Sequence, residues 1–140
     1  MAATTSNQLI KAQNPGGLVG GPANASENLY QGTMAFFDAS VGDITGDDNG
    51  GANAFAGIVK EQKDNSSGAT GDLDVEVYTE GVFELVGSGF AQSDVGDAIY
   101  AIDNWTIQKS STSASFIGTA VEFISATKLM VKLEVGSAAP

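Results

Sequence analysis

The amino-acid sequence predicts an all-β protein, a small antiparallel barrel or sandwich of about eight short strands preceded by an extended N-terminal arm. Three observations lead to this fold class. Short apolar and β-branched clusters recur from Thr33 onward, several of them alternate apolar with polar residues, and turns rich in glycine and aspartate separate them. No segment keeps a helical apolar stripe for the roughly 10–12 residues that a helix needs.

The predicted strands follow one another through the chain from residue 33 to residue 135. The clusters lie at 33–37, 55–60, 73–78, 82–86, 98–102, 105–108, 116–121 and 129–135. In 73–78 and 129–135, apolar residues occupy every second position. Such strands bury one face and leave the other in water, which favours an antiparallel sheet over a parallel α/β sheet.

The first thirty residues differ in composition from the rest of the chain. They hold two of the three prolines and two Gly-Gly pairs, and the single charges of Lys11 and Glu27 cancel. We therefore divide the chain into an arm, residues 1–30, and a β-rich body, residues 31–140. The arm is either a disordered tail or an extended segment that orders on a partner.

The apolar residues of the arm are the candidate binding residues, because they are too few to form a core alone. Residues 8–12 are expected to add a strand to the sheet of a partner. Removing residues 1–26 is then expected to leave a folded body that binds its partner weakly. The predicted contact residues are Leu9, Ile10, Lys11, Leu18 and Val19, with Trp105 as a possible interface residue of the body.

The composition excludes several classes of function. The 140 residues include no cysteine, histidine or arginine, so disulfides, thiolate or imidazole metal ligands and the usual general base are absent. Seventeen acidic residues against six lysines give a net charge of −11, which repels nucleic acid and anionic membranes. The N-terminus lacks a basic region followed by an apolar run, so we expect synthesis in the cytoplasm without export.

Acidic side chains are the remaining candidates for chemistry. The segment 43–51 is rich in aspartate, but its spacing does not match a calcium-binding loop, which predicts a solvated hairpin instead. The pairs Asp74/Glu76 and Glu80/Glu84 lie at even spacings, typical of the wet face of a strand. We therefore expect no catalytic residue, no metal and no cofactor, and the protein is not expected to be an enzyme.

The body contains an approximate internal repeat. The sequence Val-Gly-Asp-Ile at 41–44 recurs in a similar form at 95–99, and Phe-Ala-Gly-Ile-Val at 55–59 recurs in a similar form at 116–121. Glycine inside a strand often marks a bulge or a close approach of another backbone. The glycines at 57 and 118 therefore predict two halves of one barrel, each with a corner at the same place.

Four motifs of the body occur in an order that resembles the capsid cement, or head decoration, proteins of tailed bacteriophages. They are Glu-Gly-Val-Phe-Glu-Leu at 80–85, Val-Gly-Asp-Ala-Ile-Tyr at 95–100, Phe-Ile-Gly-Thr-Ala at 116–120 and Leu-Met-Val-Lys-Leu at 129–133. The resemblance covers roughly residues 33–135. The Gly/Pro-rich arm and the acidic segment 43–51 are less typical of that family.

The resemblance implies a structural virion protein that binds the outer surface of a phage head and stabilises the capsid. Its partners would be the major capsid protein and further copies of itself, most often as a trimer, with a dimer possible, and it would bind neither nucleic acid nor membrane. A β-sandwich module that binds carbohydrate or a host surface is the alternative.

Overall fold

The computed structural model describes residues 3–135, without the side chains of residues 12–16. Within these residues the chain is all-β, as the sequence predicts, and its helices are limited to two single 3₁₀ turns. The strands are β1 (Ala12–Pro22), β2 (Glu27–Leu29), β3 (Met34–Phe37), β4 (Ile44–Thr45), β5 (Ala54–Val59), β6 (Lys63–Asn65), β7 (Asp74–Val86), β8 (Ala98–Ala101), β9 (Ile107–Gln108), β10 (Ser115–Ser125) and β11 (Lys128–Leu133).

Nine of these strands form one curled antiparallel sheet that has the shape of a half-barrel. The order across the sheet is β4-β3-β5-β7-β11-β10-β8-β9, and β1 pairs with the edge of β7 that the other strands leave open. Strands β2 and β6 form a separate two-stranded sheet. Strand β7 is long enough to pair with β5 through its first half and with β11 through its second half.

The sheet consists of two units of the same design. Unit A comprises the end of β1 with β3, β4, β5 and residues 74–79 of β7, and unit B comprises residues 82–86 of β7 with β8, β9, β10 and β11. In each unit a single parallel bridge joins the first strand to the short second strand of a hairpin, Ala23 to Ile44 in unit A and Val86 to Thr106 in unit B. The two units therefore share β7.

The register of the two units agrees residue by residue at the internal glycines. Phe36 faces Phe55 and Ala35 faces Gly57 in unit A, whereas Tyr100 faces Phe116 and Ile99 faces Gly118 in unit B. Each pairing skips one residue before the glycine, which is a β-bulge. Both glycines therefore lie at a β-bulge, one of the features that a glycine inside a strand indicates, whereas the barrel corner at each glycine stays a prediction.

The other half of the predicted repeat is wrong. The counterpart of Gly96 is Gly32, because each amide donates to the strand carbonyl that follows the bulge, Val59 O at 2.9 Å for Gly32 and Ala120 O at 2.8 Å for Gly96. Gly42 instead lies in the turn between β3 and β4. The predicted repeat aligned Gly42 with Gly96 because glycine occurs both in the turn after β3 and at the entrance to β8.

The large core lies between the two units. It includes Phe36 and Phe55 of the bulged hairpin in unit A, whose rings meet edge to face at 6.2 Å. In the corresponding hairpin of unit B, Tyr100 and Phe116 also meet edge to face, at 5.7 Å. A second, smaller core fills unit A. Its buried members are Ala23, Leu29, Ala35, Ile44, Val59, Val75 and Val77. Apolar side chains are therefore buried on both faces of unit A, and this burial stabilises the unit.

The strand boundaries differ from the predicted ones in the middle of the chain. The predicted strands at 73–78 and 82–86 are one strand, β7, because Gly81 continues the strand at a φ of 116° instead of ending it. Strands β1, β2, β4 and β6 were not among the predicted clusters. All four are short or rich in glycine and polar residues, so they lack the apolar alternation that identifies a strand.

The arm is extended, but it lies on its own chain. Residues 12–22 pair with residues 74–83 of β7, and Ala23 and Leu29 are buried in the smaller core. The structure therefore places the start of the packed body before residue 23 and not at residue 31. The expectation that residues 8–12 join a foreign sheet is also at odds with the structure, since these residues make backbone hydrogen bonds within the chain.

Candidate interaction surface

Strand β1 forms an exposed edge of the sheet. One side of this strand pairs with β7, and along residues 17–21 the described part of the chain supplies no strand on the other side. Leu18 is 45% exposed and Val19 is 46% exposed, one on each face of the strand. None of the eleven residues of β1 carries a charge, although the whole chain has a net charge of −11.

A bulge sets the direction of this edge. The register shifts between Gln13 and Gly16, so that β1 has one residue more than β7 over this stretch. Gly17 follows the bulge at a φ of 59°, and a Cβ atom there would meet the side chains of Thr79 and Glu80. The side chain of Glu80 thus lies against β1 at Gly17.

The segment before β1, residues 4–11, is attached to the body by hydrogen bonds. The backbone of Thr4 exchanges two bonds with the side-chain amide of Asn104, at 3.0 and 3.1 Å. Gln8 N donates to Gln31 O at 2.6 Å, and Glu84 N donates to Lys11 O at 2.8 Å. Lys11 Nζ lies 2.8 Å from Glu84 Oε2, and this carboxylate is the more buried of the two groups.

A groove of about 290 Å³ opens between this segment and the body. Its lining residues are Gln8, Leu9, Lys11, Glu84, Val86 and Trp105. Leu9 is 77% exposed, whereas Trp105 is half-buried and its amide donates to Asp103 Oδ1 at 2.8 Å. The groove therefore combines an aromatic ring, an apolar chain and a charged pair.

The structure divides the predicted contact residues into three groups. Leu9, Lys11 and Trp105 come together in the groove, although about 95 residues of chain separate them. Leu18 and Val19 lie on the exposed edge of β1. Ile10 packs against the large core and is only partly exposed, so its side chain supports the fold.

The acidic segment 43–51 is held by hydrogen bonds among protein groups. The Glu27 carboxylate accepts from Thr45 Oγ1 at 2.7 Å and from Gly46 N at 2.9 Å, and Asn53 Nδ2 donates to Asp47 O at 2.8 Å. Asp48 is 5% exposed, and its Oδ2 atom has no hydrogen-bond partner. Burial raises the pKa of Asp48, and the neighbouring charge of Asp47 raises it further.

No group of three or more acidic side chains within residues 3–135 is arranged to hold a metal ion. Asp94 is engaged elsewhere, because it accepts a hydrogen bond from Ala91 N at 2.8 Å and lies 3.2 Å from Lys109 Nζ. The bond from Ala91 is the main reason why the pKa of Asp94 is lowered. In the same part of the chain, no helix is long and apolar enough to cross a membrane.

Comparisons with protein-family models, with curated proteins and with solved structures gave no match for this chain. The candidate surface is thus defined by its own residues: the edge of β1 and the groove at Trp105. Sequence reasoning missed Glu84 and Val86 of the groove, whereas Gln8 lies in the predicted binding segment 8–12. No local signal identifies them, since Lys11 and Glu84 meet only because β1 folds back onto β7.

Proposed function

We propose that the protein is a structural virion protein that binds the outer surface of a phage head, contacts the major capsid protein and stabilises the capsid. The four motifs of the family resemblance support this proposal, because they fall in order on β7, at the entrance to β8, on β10 and on β11. These are the strands of unit B. A binding role of this kind requires neither a cofactor nor a catalytic residue.

The uncharged edge of β1 is the observation that carries the proposal. A surface with a net charge of −11 resists close approach of other acidic surfaces, whereas β1 offers unpaired backbone groups and two exposed apolar side chains without any charge. Extended segments bind such edges through main-chain hydrogen bonds, and flanking side chains give specificity. We assign β1 as the attachment site on the capsid.

Co-sedimentation with assembled heads tests the attachment. The double variant Leu18→Asp and Val19→Asp places two charges on the edge, and we expect it to bind heads at least about tenfold more weakly, because each buried apolar contact of this size is worth about 1.5 kcal/mol or more. Val41→Asp is the matched control, since Val41 is 66% exposed in a turn outside β1. Equal binding of both variants would contradict the assignment of β1.

An electron-microscopy map of decorated heads tests the assembly. We propose a trimer, with a dimer as the alternative, because three copies of one weak contact on a rigid body gain affinity through their effective concentration. Clustered copies around a symmetry axis are the expected result. Isolated copies without mutual contact would refute self-association, while heads without any bound copy would refute the function itself.

The groove at Trp105 favours a second candidate function, the binding of carbohydrate on a host surface. An aromatic ring beside a carboxylate, an ammonium and an amide is a suitable arrangement for stacking and hydrogen bonding to a sugar. A glycan panel tests this candidate with the unmodified protein and with Trp105→Ala. Binding that is lost in Trp105→Ala would support carbohydrate recognition over capsid attachment.

A further inference from the structure

The two units differ at one edge, although their strands correspond. The pairing of β1 with β7 matches the pairing of β7 with β11, so that Leu18, Val19 and Gly20 correspond to Val82, Phe83 and Glu84. The amides that follow also correspond, since Ala23 N donates to Leu73 O and Gly87 N donates to Thr127 O, both at 2.9 Å. Each first strand also has its parallel bridge at this point, at Ala23 in unit A and one position earlier, at Val86, in unit B.

In unit B the outer edge of these residues is covered. Ala12 faces Phe83 and Gln13 faces Val82, on the side of β7 away from β11. The covering segment continues to Lys11, whose carbonyl accepts a hydrogen bond from Glu84 N at 2.8 Å and whose ammonium lies 2.8 Å from the Glu84 carboxylate. Three extended residues with one lysine are therefore sufficient to cover this edge.

In unit A the corresponding edge, residues 18–20 of β1, has no covering segment among the described residues. We propose that this edge is a strand-acceptor site for an extended segment of a partner protein that carries a lysine or arginine opposite Gly20. The segment takes the place in unit A that residues 11–13 take in unit B. That the partner is a capsid protein rests on the proposed function.

The charges beside the edge determine the chemistry of the segment. Gly20 faces Glu76 on β7, Glu80 lies against Gly17, and the only ion pair of these two carboxylates in the described chain is the 3.9 Å contact of Glu76 with Lys60. A segment on the outer edge of β1 would lie about 10 Å from β7, two strand spacings away. A basic side chain and a glutamate can meet across that distance, because Gly20 has no side chain between them.

A second copy of the chain fits this edge less well. Strand β1 carries no basic residue, so two β1 edges brought together would supply no further counter-charge to Glu76 or Glu80 of either copy. The lysine-bearing segment of a second copy, residues 11–13, already covers β7 of its own chain. Charge complementarity thus selects a foreign basic segment.

Titration of the full chain with a peptide tests the site by NMR. The probe has the sequence of residues 7–14, acetylated and amidated so that its lysine is its only charge, and the control peptide carries Lys11→Glu. We expect amide shifts confined to residues 17–21 and their neighbours on β7, with clearly weaker binding of the control peptide. In the protein, Glu76→Gln should weaken binding of the lysine peptide about twofold to fivefold, as expected for one surface ion pair, and Glu61→Gln should not.

Three results would overturn the inference. The first is that the peptide shifts the amide signals of residues 82–84 instead of those of residues 17–21. The second is that the two peptides bind equally well. The third is that the amide signals of residues 17–21 shift with protein concentration in the absence of peptide, which would identify a second copy as the occupant. Head binding is measured separately by co-sedimentation. A protein that decorates heads but ignores the peptide would refute the acceptor site alone, whereas peptide binding without head binding would refute the proposed function alone.

Discussion

At the scale of single residues, the two bulge glycines are the positions that tolerate substitution least. Gly57 has a φ of 139° and Gly118 a φ of 156°, and an added Cβ atom would run into the backbone carbonyl of Tyr78 or of Lys132. We expect Gly57→Ala and Gly118→Ala each to lower the free energy of unfolding by about 3 kcal/mol, within the range of severe core lesions. Urea denaturation measures this loss.

Gly42→Ala separates the two causes of that loss. Gly42 also has a positive φ, of 82°, but no atom lies within 4 Å of its added Cβ. Its substitution should therefore cost only the backbone term, about 1–2 kcal/mol. If all three variants were destabilised equally, the close approach of the neighbouring strand would have no part in fixing the bulges.

Asp48 makes stability depend on pH. Its folded-state pKa lies above the unfolded value, so the native state binds more protons than the unfolded chain between these two pKa values, and stability falls as the pH rises through that window. Asp48→Asn removes the buried charge and should raise the thermal midpoint at pH 7. The gain should disappear as the pH falls toward the unfolded value of 3.8, and a gain that is constant with pH would contradict this explanation.

At the scale of elements, β1 belongs to the body and is needed for its stability. Deleting residues 1–22 would uncover one edge of β7 from Asp74 to Phe83 and remove eight paired positions, each with hydrogen bonds worth about 1 kcal/mol net. We expect this truncation to be destabilised by several kcal/mol. Deleting residues 1–7 removes, among the described residues, hydrogen bonds to Asn104, Gln31, Gln62 and the side chain of Gln8, and should leave the urea midpoint nearly unchanged.

This pair of truncations replaces the simpler expectation that the body folds without its first 26 residues. Circular dichroism and urea denaturation give the comparison. A 1–22 deletion with the midpoint of the full chain would show that β1 is dispensable to the fold, and weakened head binding could then be assigned to the arm alone. Because β1 is part of the folded body, point variants on β1 test binding without the loss of stability that a deletion causes.

The strands that could be predicted from sequence are those with an apolar face. Strands β5, β8, β10 and β11 follow from β-branched clusters and alternation. Strand β1 could not be predicted, because glycine and proline fill six of its eleven positions and its only reason to be extended is the long edge of β7. Local pattern fails wherever a distant strand supplies the hydrogen bonds.

At the scale of the whole molecule, the repeat was predictable in kind but not in register. The bulge motif is recognisable in the sequence at Gly57 and at Gly118, because in both units the neighbouring strand's backbone lies too close for any residue other than glycine. The segment before β3 resembles the segment before β8 only in its glycine, Gly32 against Gly96. The sequence alone therefore aligned residues 95–99 with the turn at 41–44 instead. The groove depends on long-range placement of Trp105, Leu9 and Glu84, which no spacing along the chain encodes.

Strand β7 has a consequence for how the molecule comes apart. Strand β7 is both the last strand of unit A and the first of unit B, and its ladder with β1 spans both units, from Asp74 to Phe83. We expect strands joined by one such ladder to open together as a single cooperative unit in amide hydrogen exchange. The protein is therefore expected to melt in one step, and a particle coated with it would hold each copy entirely folded or not at all.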